Sequence, residues 1–143
     1  MKNLKHLEEK DMKNLKIEAF MKQVDEIKNK FGEDSKEVKA FYKENKGATN
    51  WVHSYFNSIE KGFDEIVVTG VLFDSDIPDF IEYGKKFGIG WFVFASGSTG
   101  AFETIDAFLQ NGARMGKFVV KEYSEKRFHS EETIRVPGVR INL

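Results

Sequence analysis

The sequence predicts an α/β fold: an N-terminal layer of three helices followed by a β-α-β-α-β-β unit that forms a small mixed sheet. Three observations carry this reading. Apolar residues, many of them aromatic, recur with the 3.6-residue helical period through residues 15–59. Two short apolar runs follow, each leading into a further helical period, which is the pattern of parallel strands joined by right-handed crossovers. The C-terminal segment holds two strand-like runs around a polar turn, the signature of an antiparallel hairpin.

Each element has its own warrant. Leu15, Ile17, Phe20, Met21, Val24, Ile27 and Phe31 share one helical stripe, closed by Gly32. Asp34, with Glu37 as capping-box partner, starts a second helix whose apolar face is Val38, Phe41 and Tyr42 and which stops at Asn45–Gly47. Thr49 or Asn50 caps a third, presenting Trp51, Val52, Tyr55, Phe56 and Ile59 and closed by Gly62. Ile66–Phe73 reads as a buried strand. Asp76 and Pro78 open a helix with Ile77, Phe80, Ile81 and Tyr83 inward, stopped at Gly88. Gly90–Ala95 is the second strand, and its consecutive apolar side chains predict a sheet covered on both faces, the N-terminal helices supplying one cover. After the turn Ser96–Gly100, a helix presents Phe102, Ile105, Phe108 and Leu109 and ends at Gly112. Lys117–Tyr123 is the third strand, and a polar turn over 124–130 leads to a last strand from Thr133 to Leu143. Pro137 has no N–H to donate, so that strand is expected at an edge or broken there. No linker separates a helical segment, 1–62, from an α/β core, 63–143, so the two are expected to form one cooperative domain. Residues 1–14 are expected to fray, Met1–Lys5 being repeated as Met12–Lys16.

Composition narrows the function classes. The 143 residues are 41% hydrophobic with fourteen Phe, enough for a core and too apolar for a disordered chain. No apolar run approaches the ~20 residues that cross a bilayer, so no membrane partner is expected. With no secretory signal pattern and no cysteine, the expected location is the cytoplasm. The net charge of −1 averages three unlike segments: +1 over 1–64, −5 over 65–112 and +3 over 113–143. All four arginines, Arg114, Arg127, Arg135 and Arg140, lie in the last. The three histidines have no helical i, i+4 pairing, so no metal site and no cofactor is expected.

Candidate sites concentrate at the carboxyl ends of the first two strands, where open α/β sheets place ligands. Asp74-Ser75-Asp76 follows the first and Ser96-Gly97-Ser98-Thr99-Gly100 the second. Two carboxylates there can hold Mg²⁺, and a Gly/Ser turn at a helix start offers N–H groups to an anion. Equally, Ser75 and Asp76 can cap one helix and Ser98 or Thr99 the other. A strand followed by Asp-x-Asp, then a strand followed by Ser, resembles the first two motifs of haloacid dehalogenase-like phosphotransferases. That resemblance implies Asp74 as nucleophile, Asp76 as acid/base, Ser96 as phosphate ligand and Lys117 as third motif; the family's later acidic metal pair has no counterpart here. A different surface is the hairpin turn, where Lys126, Arg127, Phe128 and His129 form a contact patch.

Residues 63–143 also resemble a group of small uncharacterised bacterial proteins that carry a domain-of-unknown-function label. The resemblance rests on Asp-Ile-Pro-x-Phe-Ile (76–81), Phe-Gly-Ile-x-x-Phe-Val-Phe-Ala-Ser (87–96), the Phe108 to Gly116 run with Gly112-Ala113-x-Met115-Gly116, and Val-Pro-Gly-Val-Arg (136–140). Members are frequent in prophages and mobile elements of low-GC Gram-positive bacteria and commonly have Cys where Ala113 stands. The resemblance implies that setting and no catalytic residues. The leading expectation is a non-enzymatic phage or mobile-element protein that binds and inhibits a host defence protein, such as a CRISPR effector. Its surface would combine Asp74, Asp76, Asp79 and Glu82, as phosphate mimics, with the turn residues 126–129. A homodimer through the last strand would accompany it. The alternatives are a Mg²⁺-dependent phosphatase or nuclease using Asp74 and Asp76, and a single-stranded nucleic-acid-binding module on the C-terminal face.

Overall fold

The computed structural model describes residues 13–70 and 72–143. Residues 1–12, including most of the terminal repeat, lie outside them. The order is α1 (Leu15–Phe31), α2 (Lys36–Glu44), α3 (Lys46–Glu60), β1 (Val67–Val68), a 3-10 turn (Asp74–Asp76), α4 (Ile77–Lys86), β2 (Trp91–Phe94), α5 (Ala101–Gln110), β3 (Arg114–Arg127) and β4 (Ser130–Asn142). This is the predicted mixed α/β class. The sheet order is β1-β2-β4-β3, with β1 parallel to β2 and the other pairs antiparallel.

The helices lie on one face of this sheet. Ile17 of α1, Trp51 and Tyr55 of α3, Ile77 and Phe80 of α4 and Phe108 of α5 form one apolar cluster with Phe92, Phe94, Val139 and Ile141 of the strands. Trp51 stacks on Phe80 with ring centroids 3.9 Å apart, and its indole N–H donates to the Phe80 carbonyl at 2.6 Å. Gly84 makes this possible, since a Cβ there would stand 2.8 Å from the Trp51 ring. On the opposite face Val67, Val93 and Ala95 pack with Phe63, Val119 and Val136. The second cover expected from the alternating strand is therefore the β3–β4 ribbon and Phe63, not another helix.

The glycine stops are where they were expected: Gly32, Gly62, Gly88 and Gly112 all have positive φ. Other boundaries differ for physical reasons. Asn14 does not fray: its Oδ1 accepts from Ile17 N–H and caps α1. The α2 cap is Ser35, whose hydroxyl accepts from Val38 N–H, in place of the Asp34–Glu37 box. α3 begins at Lys46, ahead of Thr49 and Asn50. On α3, Phe56 and Ile59 face solvent, and on α5 so do Phe102 and Leu109. Thr104 takes the inward position on α5, its hydroxyl donating to the Leu72 carbonyl.

The strands show the largest departures. β1 is two residues long, not Ile66–Phe73, because β2, its single neighbour, ends at Phe94 opposite Val68. The hairpin arms run to Arg127 and from Ser130, so the turn shrinks to Phe128 and His129. β4 lies between β2 and β3 over Val139–Asn142 and pairs with β3 alone over Ser130–Gly138, so only its inner part is central. Pro137 pairs with Val120 beyond the last β2 contact, Phe94 with Val139, so β4 there has one neighbour and accommodates the missing N–H.

Candidate functional site

The four acidic residues lie on the 3-10 turn and α4, and three of them have partners within the fold. Asp74 is exposed in the 3-10 turn. The Asp76 carboxylate, 16% exposed, pairs with Lys46 at 3.1 Å and makes no side-chain cap on α4. Asp79 Oδ2 accepts from Gly47 N–H at 2.8 Å and so satisfies the start of α3 from across the structure. Glu82 pairs with Lys86 one turn on at 3.2 Å. Two of the four carboxylates thus hold α3 against the start of α4. Ser96 accepts from Ser98 N–H and Ser98 from Gly100 N–H, two local turns that lead into α5. Lys117 stands on β3 opposite Arg140, two strands removed from β2, and is not brought to Asp74. Among the described residues no three His, Asp or Glu side chains gather where they would hold a metal ion.

A cleft does open where β1 ends, the position expected for ligands in such a sheet. Its volume is about 240 Å³, and it is lined by Asn50, His53, Ser54 and Asn57 along one stripe of α3, with Val68–Gly70 and Leu72 opposite and Phe80 beneath. No acidic or basic side chain lines it apart from the imidazole, so its chemistry is hydrogen bonding rather than charge.

The hairpin tip is solvent-facing as expected. Lys126, Arg127, Phe128 and His129 are all exposed. Arg127 Nε donates to Glu125 at 2.7 Å, and this bond holds the guanidinium pKa above its ordinary value. Arg127 also reaches Glu132 at 3.9 Å, Arg135 pairs with Glu122, and Lys121 pairs with Glu65, so three of the seven bases of the C-terminal segment are neutralised locally. Phe128 has φ 57° and is 95% exposed.

One group escaped the sequence reading. Arg140 lies over the Trp91 ring at 3.7 Å, beside an irregularity in β3 where Gly116 and Lys117 oppose the single residue Arg140. The signal available beforehand was Gly116 directly before the third strand, since a glycine within or beside a strand run marks bulges and close approaches.

The described residues form a four-stranded mixed sheet with helices on one face and a projecting two-stranded ribbon. The chain belongs to the family of the domain of unknown function DUF7698, which spans residues 50–143 and so begins inside α3 and takes in the whole sheet. No curated protein and no solved structure matches the chain. No helix among the described residues is long and apolar enough to cross a membrane.

Proposed function

We propose that this protein acts by binding another protein through the tip of its β3–β4 ribbon. The observation that carries this is Phe128. A bulky side chain at positive φ is unfavourable, and the first position of a two-residue hairpin turn with positive φ normally takes glycine. Phe128 is also almost fully exposed and adds nothing to the core. A residue strained in its backbone and idle in the core is accounted for by a contact made outside the chain. Lys126, Arg127 and His129 surround it with polar rim groups.

The partner class, a host defence protein such as a CRISPR effector met by a phage or mobile element, is supported by the resemblance of residues 63–143. The acidic half of the expected surface has less support, because Asp76 and Asp79 are engaged within the fold. The same engagement takes support from phosphatase or nuclease chemistry at Asp74 and Asp76. The test is phage infection of a bacterium whose CRISPR system targets that phage. Expression of the chain should raise plaque yield, and Phe128→Asp should abolish the rise. No rise across the common effector types, or full activity of Phe128→Asp, would overturn the reading.

A further inference from the structure

The end of the sheet formed by residues 91–95, 114–120 and 137–143 contains three cations, Arg114, Lys117 and Arg140, and no acidic side chain. None of the three enters an ion pair among the described residues, whereas Lys121, Arg127 and Arg135 further along the same ribbon all do. Register places Trp91, Asn142 and Arg114 side by side on the face away from the helices. Arg140 shares that face, its guanidinium lying on the indole of Trp91. Trp91 is 37% exposed, and the N-terminal part of this face lacks the Phe63, Val119 and Val136 cover found over Val93 and Ala95.

Two features show that this arrangement is built. The Nε of Arg140 is buried with no hydrogen-bond partner, and leaving a buried charged donor unpaired is costly unless a ligand completes it. The β3 bulge sits opposite that same residue, and bulges re-aim side chains and recur beside binding sites. Gly116 permits the geometry, since a Cβ there would stand 3.1 Å from Asn142 Nδ2 and 3.3 Å from the Arg140 backbone oxygen.

We propose that this face binds a nucleotide unit, its base stacking on the Arg140–Trp91 pair and its phosphate held by Arg114 and Lys117. A guanidinium plane carried on an aromatic ring is a stacking platform for bases. Uncompensated cations beside it supply the phosphate attraction. The site is independent of the ribbon tip. The unit is supplied either by single-stranded nucleic acid or by a free nucleotide, and these sources separate by length dependence.

Trp91 provides the readout, because Trp51, the second tryptophan, is fully buried. Titrating the full chain with a ten-residue oligothymidylate and with thymidine monophosphate at 50 mM salt should quench tryptophan fluorescence. Tighter binding of the oligonucleotide assigns the strand; equal affinity assigns the free nucleotide. Lys117→Glu, at an exposed position, should weaken oligonucleotide binding about tenfold, and Arg140→Ala should weaken both ligands at least as much. With up to three phosphates engaged, log affinity should fall against log salt with a slope approaching about −2. No quenching by either probe at 1 mM, equal quenching by polyglutamate, or affinities unchanged in Lys117→Glu and Arg140→Ala would each overturn the proposal.

Discussion

Asn14 ties three elements together through three hydrogen bonds. Its Oδ1 caps α1, its Nδ2 donates to the Phe87 carbonyl at the end of α4, and its backbone N–H donates to the Tyr55 hydroxyl on α3. Asn14→Ala removes the first two and should cost about 1–2 kcal/mol, a fall of roughly 3–6 °C in thermal midpoint. Tyr55 completes the arrangement by donating to Glu18, and burial raises its pKa above the ordinary tyrosine value. Because the folded state holds this proton more tightly than the unfolded chain, the stabilisation is full below the unfolded pKa of about 10. It is lost as pH rises through the higher folded value. Tyr55→Phe has no such proton, so it should be less stable than the native chain at pH 8, and the gap should narrow toward pH 11. A gap that stays constant in thermal melts over that range would contradict the coupling.

The elements show which parts of the fold a sequence can carry. Four glycine stops were legible because positive φ is a local property of one residue. The start of α3 was not, because its cap is Asp79, thirty-two positions along the chain, and nothing near Lys46 announces it. Gly47 is the matching half of that junction: a Cβ there would stand 2.6 Å from Asp79 Oδ2 and 2.7 Å from the Asp79 carbonyl oxygen. Gly47→Ala should therefore cost about 1–3 kcal/mol by forcing α3 away from α4. Asp79→Ala should cost about 1–2 kcal/mol through the lost cap. The double variant should be less than additive in urea midpoints, yet still below Asp79→Ala alone, since the carbonyl clash remains. Strict additivity would mean that the two residues do not form one junction. The candidate site follows the same rule. The exposed hairpin tip was legible from composition, whereas the Arg140–Trp91 stack joins residues forty-nine positions apart and emerges only from strand register.

At the scale of the whole molecule, a helix-backed sheet end supports a ribbon whose outer half meets little of the rest. The sequence hid this length because Ser124–Arg127 and Ser130–Thr133 are polar on both faces, and strand reading depends on one face being apolar. Beyond the backbone ladder, the outer arms carry charge contacts within and across the strands. Glu125 stands opposite Glu132, a pairing that would repel, and Arg127 reaches both carboxylates. The inner half is different: Val119 and Val136 pack on the sheet, Lys121 pairs with Glu65, and the Tyr123 ring meets Phe63 at 5.9 Å and Lys61 at 4.1 Å. If the outer ribbon serves binding and not folding, it should be separable. Replacing residues 122–135 by Asn-Gly joins Lys121 to Val136, which are already paired, through a turn that two-residue hairpins favour. The shortened chain loses the Tyr123 contacts but keeps both core clusters intact, so it should fold with a thermal midpoint within about 5 °C of the native chain. It should also lose the rise in plaque yield in the infection assay while retaining oligonucleotide quenching of Trp91. Failure to fold would show the outer ribbon to be structural, and an undiminished rise in plaque yield would move the partner surface elsewhere on the molecule.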